Sequence, residues 1–281
     1  MSVTAPAKQG PSAANLHALR ENVARYLALL GRRPKPASVA MRRSPLHVGS
    51  CVIAAAAAVV ITMFLLDAAA VNVAQNLPLW LIERFDQVTD LGNAEWLLVP
   101  ITLLLVVLPL AACALPPFSQ RVLTAIAVRL AFLFWAVALP GLIFTVLKRL
   151  IGRARPLVAG SADPFLYLPF GWNVEYASLP SGHAISAFAA AMAFGALYPG
   201  ARLLLWTYAV LIALSRVVLT AHFPSDVVAG AALGVASVFL VREWFAARRL
   251  VFAVASDGKI RPLPGPAFSR IKKVVGQLLA S

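Results

Sequence analysis

Three short polar clusters lie between long apolar runs in the middle of the chain. The first is Lys148-Arg149-Leu150-Ile151-Gly152-Arg153-Ala154-Arg155-Pro156, the second is Pro180-Ser181-Gly182-His183, and the third is Ser215-Arg216 followed by His222 and Asp226. The flanking runs are apolar enough to cross a bilayer, where charged residues are costly and usually functional. Together the clusters supply cations, histidines, a carboxylate, a hydroxyl and a glycine, which are the groups needed to bind and transfer a phosphate.

The composition places the chain among membrane proteins. Of its 281 residues, 60% are hydrophobic and 13% are charged, which is about half the charged fraction of a soluble domain. The net charge of +14 lies mostly at the two ends of the chain and not within a soluble fold, which argues against nucleic-acid binding. Cys51 and Cys113 lie inside apolar runs without metal-ligand spacing, so they are predicted to be small core residues.

Six apolar segments predict an all-α polytopic membrane protein, a bundle of six transmembrane helices. Their approximate ranges are 49–71, 96–115, 122–147, 183–199, 202–219 and 226–245. Helical spacing of apolar residues predicts surface helices in residues 12–31 and around 268–278, and a short interfacial helix around 78–91. For residues 12–31, an amphipathic helix on an anionic membrane surface and a poorly ordered tail are equal alternatives.

The distribution of positive charge predicts the topology. Eight Lys or Arg residues lie in segment 1–46, and eight more lie from Arg242 onward. The positive-inside rule therefore places both ends in the cytoplasm and the three polar clusters at the periplasmic face of a bacterial inner membrane. The predicted division is a basic cytoplasmic segment (1–46), a six-helix membrane domain (47–247) and a basic cytoplasmic tail (248–281). The long aromatic loop 149–179 is either a lid or lipid-entry surface, or a packed interfacial loop.

Lys148 and Arg155 are seven residues apart in the first cluster. Because Pro156 disfavours helix at the residue before it, Arg155 is predicted to lie just past a helix end, beside Lys148. An arginine can hold two phosphate oxygens, whereas a lysine acts as a point charge. Basic residues that end a membrane span are usually plain anchors, so this cluster does not decide the function when it is taken alone.

Ser181 and Gly182 stand at a predicted helix start. Ser181 is a candidate N-cap, Gly182 lets a ligand approach the backbone closely, and the N–H groups of a helix start point at an anion. An ordinary cap followed by a chance histidine explains this cluster slightly better when it is taken alone.

His222 and Asp226 are four residues apart, with Pro224 between them at a predicted helix start. A carboxylate one turn away can accept the proton of one ring nitrogen and leave the other nitrogen free to attack phosphorus. Arg216 adds a cation six residues before His222. No carboxylate or Cys/His cluster with metal-ligand spacing accompanies them, so the sequence predicts phosphoryl transfer through a phosphohistidine without a metal or another cofactor.

The three clusters, in this order and at these spacings, closely resemble the signature of the type 2 phosphatidic acid phosphatases, membrane enzymes that share an active site with vanadium haloperoxidases. The resemblance covers residues 148–226 and the six-span layout. It implies that His222 attacks phosphorus, that Asp226 orients His222, and that His183 protonates the leaving oxygen and then activates water. It further implies that the phosphate oxygens are held by Lys148, Arg155, Ser181, Gly182 and Arg216.

The predicted function is therefore hydrolysis of a lipid phosphate or diphosphate: undecaprenyl diphosphate, phosphatidylglycerol phosphate, phosphatidate or a lipid A phosphate. The alternatives are a lipid phosphotransferase and a non-enzymatic anion transporter with a basic outer vestibule. The predicted partners are the lipid substrate and the membrane, with no nucleic acid, and the sequence does not predict the oligomeric state.

Overall fold

The computed structural model describes residues 13–34, 45–113 and 115–280, which are mostly helical. The helices are α1 (Ala13–Leu30), α2 (Pro45–Leu65), α3 (Asp67–Ala74), α4 (Leu79–Thr89), α5 (Glu95–Ala112), α6 (Pro117–Ile151), α7 (Gly182–Leu197), α8 (Arg202–Val218), α9 (Pro224–Ala247) and α10 (Phe268–Ala280). Between α9 and α10, β1 (Phe252–Val254) and β2 (Ile260–Pro262) form an antiparallel hairpin. Single 3₁₀ turns lie at Asp90–Gly92, Val174–Tyr176 and Pro199–Ala201.

Long apolar helices dominate the described residues, as the sequence predicts. Five segments are long and apolar enough to cross a bilayer: Pro45–Leu65, Leu79–Ala112, Pro117–Ile151, Pro199–Val218 and Pro224–Ala247. The remaining predicted span, 183–199, corresponds to α7, which is apolar but has only 16 residues. At a rise of 1.5 Å per residue it is about 24 Å long, shorter than the hydrocarbon core. The chain is therefore an all-α, multi-pass membrane protein.

Helix α7 lies at the centre of the bundle, packed against α6, α8 and α9. Alanines buried around its circumference allow this close packing: Ala184, Ala187, Ala189, Ala191 and Ala193 are all fully buried. Glycines on α9 bring its backbone against α7, because a Cβ at Gly230 would lie 2.7 Å from the Ser181 carbonyl oxygen and one at Gly234 would lie 2.6 Å from that of Ile185. Small residues at such crossings are typical of packed membrane helices. The crossing fixes the start of α7 beside the start of α9.

Gly152 ends α6 in the left-handed conformation, with φ of 66°. Its N–H donates to the carbonyl oxygen of Lys148 at 3.0 Å, the usual glycine termination of a helix. A Cβ at this position would lie 1.9 Å from the Leu168 carbonyl oxygen. The glycine therefore turns the chain sharply after Lys148 and lets the following loop pack against the helix end. Arg155 lies past the helix end, as predicted.

The loop after α6 is held by backbone hydrogen bonds. The N–H of Ala154 donates to Leu166 (2.9 Å), that of Arg155 to Glu175 (2.7 Å), and that of Ser178 to Arg153 (3.0 Å). These bonds favour the packed interfacial loop over the lid. Two of its aromatic residues, Phe170 and Trp172, are 72% and 78% exposed.

The terminal helices pack at the opposite end of the bundle, around the turn between α5 and α6. The Asn22 amide on α1 donates to the carbonyl oxygen of Pro109 at 3.4 Å. On α10, Gln277 accepts a 2.6 Å hydrogen bond from the hydroxyl of Ser119. Arg129 on α6 donates to the carbonyl oxygens of Leu263 and Pro264, at 2.9 and 2.8 Å. The predicted helices in the two terminal segments are therefore confirmed, and both contact the membrane domain; residue 12 lies outside the described residues.

Some sequence expectations about the fold were wrong. Cys51 is exposed on α2 and not a core residue, and Cys113 is half-buried. Helix α2 is apolar all round and buries none of its residues, so hydrophobicity cannot tell which of its faces contacts protein. The first span was predicted to run to Val71, but α2 ends at Leu65 and α3 begins at Asp67. The hairpin of β1 and β2 was not predicted.

Candidate active site

The eight predicted site residues come together at one end of the bundle. Lys148 lies in the last turn of α6 and Arg155 just beyond it. Ser181 immediately precedes α7, and Gly182 and His183 begin that helix. Arg216 lies in the last turn of α8, His222 in the turn before α9 and Asp226 in the first turn of α9. The ring of His183 interacts electrostatically with His222 and with three cations: Lys148, Arg155 and Arg216. The Ser181 N–H donates to the carbonyl oxygen of Asp226 at 3.0 Å, which joins the second cluster to the third.

Several polar atoms of this cluster are buried without a hydrogen-bond partner among the described residues. They are Oγ of Ser181 and Nε of both Arg155 and Arg216. Ser181 was predicted to cap α7 with its hydroxyl, but the hydroxyl makes no capping hydrogen bond. A Cβ at Gly182 would meet nothing within 4 Å, so the space beside this backbone is open. Unpaired donors around open space at a helix N-terminus are suited to bind an anion.

His222 and Asp226 are linked mainly through a third residue, Ser178. The Ser178 hydroxyl donates to Oδ2 of Asp226 at 2.6 Å and lies 3.4 Å from Nδ1 of His222. The direct distance from Nδ1 to Oδ2 is 3.7 Å, too long for a good hydrogen bond. The direct contact expected from the four-residue spacing is thus replaced by a hydroxyl bridge. The reason is that His222 precedes the helix, while Oδ2 of Asp226 already accepts the Phe223 N–H at 2.9 Å.

The bridge determines which ring nitrogen of His222 carries the proton. Because the Ser178 proton is directed at Asp226, the serine oxygen can only accept from Nδ1. The proton then resides on Nδ1, and Nε2 keeps a free lone pair. Burial lowers the pKa of His222, which is 4% exposed, and Asp226 opposes this shift. The ring is therefore neutral at physiological pH, as a nitrogen nucleophile must be.

Arg153 and Asp67 extend this hydrogen-bonded chain into the protein. Arg153 is fully buried and donates through Nη1 to Oδ1 of Asp226 (2.5 Å) and to Oγ of Ser225 (2.7 Å). Through Nη2 it donates to Oδ2 of Asp67 at 2.7 Å. The guanidinium also lies 4.5 Å from the centre of the Phe223 ring. Asp226 is thus held on one side by Arg153 and on the other by Ser178.

Two further contacts hold Arg216 and His183. Nη1 of Arg216 donates to Oγ1 of the buried Thr89 at 2.7 Å, and this hydroxyl also lies 2.9 Å from that of Ser215. Gly92 lies against His183, since a Cβ there would come within 2.9 Å of the imidazole ring. The last residue of α4 and the 3₁₀ turn that follows therefore contact one cation and one histidine of the site.

A cavity of about 740 Å³ opens beside His183. Lys148, Gly182 and His183 line its polar end, next to Asn93 and Glu95. Its other walls are mainly apolar and include Phe134, Trp135, Leu139, Leu142 and Ile185. Leu142 is 70% exposed on the lipid-facing side of α6, so this cavity connects the cluster with the bilayer region.

Comparison with known proteins identifies the family. A sequence model of the PAP2 superfamily matches residues 129–250, which include all three polar clusters. A lipid A 1-phosphatase from Rhizobium johnstonii is 33% identical over 235 residues, or 83% of this chain and 94% of that protein. The chain belongs to the PAP2 superfamily. The lipid A 1-phosphatase of Rhizobium etli is also 33% identical, over 82% of this chain and 97% of that protein.

A solved PAP2 protein is also similar to this chain. It is a transmembrane PAP2-type phosphatidylglycerolphosphate phosphatase from Bacillus subtilis, with 21% identity and a TM-score of 0.45 over 80% of this chain and 94% of that chain. The family model and the two lipid A 1-phosphatases confirm, at the level of the family, the resemblance inferred from the three clusters, and the chain is a phosphatase of the PAP2 superfamily.

Sequence reasoning missed several residues that support the PAP2 cluster. They are Asp67, Thr89, Gly92, Arg153, Ser178 and Ser225. Asp67 had a usable signal, because a lone carboxylate in an apolar run requires a buried partner. Arg153 stood inside the first cluster but was given no role. Ser178, Ser225 and Thr89 carry no such signal, since isolated hydroxyl residues are common in loops and at helix ends.

Proposed function

We propose that this membrane lipid phosphatase removes a phosphate from the sugar end of a lipid of the lipid A class. The cavity beside His183 is the observation that carries the proposal, because it joins the polar cluster to an apolar, lipid-facing wall. Such a shape fits a substrate with a phosphate at one end and acyl chains at the other. The lipid A 1-phosphatase relatives support the same substrate class.

The polar rim of the cavity favours a sugar over a simple glycerolipid. Asn93 and Glu95 lie at the same end as Lys148 and His183. An amide and a carboxylate can pair with the hydroxyl and amide groups of an acylated glucosamine. The leaving portion of phosphatidate offers no such donor. A sugar phosphate would therefore satisfy groups that a diacylglycerol phosphate would leave unpaired, which is a strong source of discrimination.

The proposed first step forms a phosphohistidine. Nε2 of His222 attacks phosphorus, and the bond between phosphorus and the sugar oxygen breaks. His183 donates a proton to the departing oxygen. Ser178 and Asp226 hold the Nδ1 proton of His222 and stabilise the positive charge that develops on the ring. The phosphate oxygens are neutralised by Lys148, Arg155 and Arg216 and accept hydrogen bonds from Ser181 and the Gly182 backbone.

The proposed second step releases inorganic phosphate. His183, now neutral, removes a proton from a water molecule that attacks the phosphohistidine, and His222 leaves with its lone pair restored. The three cations remain paired with phosphate oxygens throughout, so they supply the charge that a metal ion supplies in other phosphatases. Among the described residues, no group of three or more His, Cys, Asp or Glu side chains is arranged to hold a metal ion.

The test is phosphate release by the purified protein across a panel of lipids, with and without excess chelator. The panel contains lipid A with both phosphates, phosphatidate, phosphatidylglycerol phosphate and undecaprenyl diphosphate. We expect the highest kcat/KM for lipid A, a product that lacks the phosphate at the reducing-end sugar by mass spectrometry, and no effect of chelator. Preference for another lipid would overturn the substrate assignment and leave the phosphatase assignment intact. Phosphate transferred to an acceptor lipid would instead indicate a phosphotransferase.

We further propose the topology that the charge distribution predicts. Segments 1–46 and 248–281 are cytoplasmic, and the membrane domain 47–247 presents its site to the periplasm. The positive-inside rule supports this orientation, because sixteen basic residues lie toward the two ends. The four basic residues of the first cluster are the exception to the rule, and a bound anionic substrate accounts for them.

Thiol labelling tests the orientation. Single cysteines replace Ser161, in the loop after α6, and Ser256, in the turn between β1 and β2, both of which are exposed. Cys51 and Cys113 are first replaced by alanine, since Cys51 is itself exposed. In intact spheroplasts, a membrane-impermeant thiol reagent should label Ser161→Cys and not Ser256→Cys, and both should react after lysis. Labelling of only the Ser256 variant would reverse the topology.

The Ser178 bridge leads to a kinetic prediction. Ser178→Ala removes the hydrogen bond that fixes the His222 tautomer but no contact to phosphate. We expect kcat to fall by about 10- to 100-fold, with KM changed little. Steady-state kinetics on the preferred lipid measure this, with the exposed Ser161→Ala as the matched control. A rise in KM at unchanged kcat would assign Ser178 to substrate binding instead.

A further inference from the structure

A chain of buried charges runs behind the His222–Asp226 pair. Asp67, Arg153 and Asp226 are each 0% exposed. Arg153 lies between the two carboxylates, 2.7 Å from Oδ2 of Asp67 and 2.5 Å from Oδ1 of Asp226. Ser225 connects the same groups, because its N–H and hydroxyl donate to Asp67 at 2.9 and 2.5 Å. The outer member of the chain is thus tied to the first turn of α9, which carries Asp226.

Stability alone does not explain this arrangement. Burying three charges carries a large desolvation penalty, and replacing such groups with apolar residues is often neutral or stabilising. The chain would also hold one net negative charge in the interior. The placement of the chain is informative, because Asp226, the carboxylate beside His222, uses its two oxygens for different partners. Oδ1 faces Arg153, while Oδ2 accepts from Ser178 and Phe223 and lies 3.7 Å from His222.

We propose that Asp67 and Arg153 are positioning residues that set how strongly Asp226 attracts the proton of His222. The positive charge of Arg153 offsets the negative charge of Asp226. Asp67 weakens this effect, because it pairs with the same guanidinium. The inference rests on the proposed role of His222 as the attacking group. Beyond Asp226 on α9, the ionisable groups that act on His222 are Arg216 on α8, Arg155 after α6 and His183 on α7, and none of these changes in the variants below.

The two residues should therefore have opposite effects on His222. In Asp67→Asn, the whole charge of Arg153 acts on Asp226, the imidazolium is stabilised less, and the pKa of His222 falls. In Arg153→Met, Asp226 is no longer neutralised, and the pKa of His222 rises. Each shift should be about one pH unit, as for a charge change at this range. In the double variant both buried charges are removed together, so the pKa returns close to the wild-type value.

The double variant also keeps the test independent of folding. Arg153→Met alone leaves two buried carboxylates without their cation, a change that is strongly destabilising. If that single variant does not fold, Asp67→Asn and the double variant still carry the comparison. The control is Asp257→Asn, which breaks the exposed pair between Asp257 and Arg261 in the hairpin and should leave His222 unchanged.

The experiment is a ¹³C NMR titration of the full-length protein in nanodiscs, with histidine labelled at Cε1. The chain has four histidines, and the His222 resonance is the one lost in His222→Gln. The expected result is a lower pKa in Asp67→Asn, a higher one in Arg153→Met and a near wild-type one in the double variant. The acid limb of kcat/KM should move in the same directions.

Two outcomes would overturn the proposal: equal pKa values in all folded variants, or shifts of the same sign in the two single variants. A merely structural role would give equal values together with lower thermal stability. The titration requires no turnover, so a missing phosphohistidine would refute the proposed catalytic step without deciding the role of Asp67 and Arg153.

Discussion

His222→Ala is expected to abolish phosphorylation of the enzyme and to lower turnover by about 10⁴-fold or more, because no other group supplies the attacking nitrogen. The His222 side chain is buried beside Ser178 and Asp226. The measurement uses substrate labelled with ³²P in the phosphate and an alkaline quench, in which phosphohistidine survives. Wild-type protein should carry label at early times, and the variant should carry none.

The matched control is His47→Ala. His47 is exposed near the start of α2, away from the three clusters, and its loss should leave both labelling and turnover unchanged. Thermal unfolding of both variants, compared with wild type, separates a catalytic defect from a loss of folded protein. Label on His222→Ala at the wild-type level would show that another residue is the nucleophile.

The sequence predicted the helices well because bilayer-spanning segments must be continuously apolar. It also placed Pro224 at a helix start, where local chemistry decides the boundary, and α9 begins there. It could not assign the faces of α2, since that helix is apolar all round. The hairpin that ends in Pro262 depends on packing of Phe252 against Phe132, which no local pattern specifies.

The candidate site likewise contains residues that the local sequence predicts and residues that only the fold brings together. The eight predicted residues occur in short clusters with fixed spacing, so their proximity could be inferred before the fold was known. The residues behind them come from distant segments: Asp67 lies 86 residues from Arg153 and 158 from Ser225. Their contacts arise when α3 and the loop after α6 pack against α9, and short-range spacing contains no information about that packing.

Spacing was also misleading in one respect. The four-residue spacing of His222 and Asp226 suggested a helical turn with a direct hydrogen bond. Helix α9 begins only at Pro224, so His222 lies outside it and Ser178 occupies the position between the two side chains. The proximity of the two side chains was predicted correctly, but the connecting hydroxyl could be found only in the folded structure.

His183→Ala is expected to slow substrates in proportion to the basicity of their leaving group. A lipid alcohol or a sugar oxygen leaves poorly unless it receives a proton, and general acid catalysis is typically worth about 10²- to 10⁴-fold. A nitrophenolate, or a lipid monophosphate leaving from a diphosphate, departs without that help. The variant should therefore lose most activity on alcohol-leaving substrates and much less on the acidic ones.

The measurement is the rate of initial enzyme phosphorylation by rapid quench, across substrates of graded leaving-group acidity. This step must be isolated, because His183 is also proposed to activate water in the second step, and slow breakdown of the phosphohistidine would hide the trend in steady-state rates. The matched comparison is His222→Ala, which should be inactive on every substrate, since no leaving group replaces the nucleophile.

The placement of His183 explains why this series discriminates between its possible roles. Its ring lies at the start of α7, at the polar end of the cavity proposed to hold the leaving group, and close to the cations proposed to hold the phosphate. If His183 bound phosphate, its loss would lower the phosphorylation rate equally for every substrate, because the phosphate is the same throughout. A role as general acid acts only on the bond to the leaving group, so its loss must depend on that group. An equal loss of rate across the series would make His183 a phosphate-binding or packing residue. If His222→Ala, and not His183→Ala, regained activity on the substrates with acidic leaving groups, the roles of the two histidines would be exchanged.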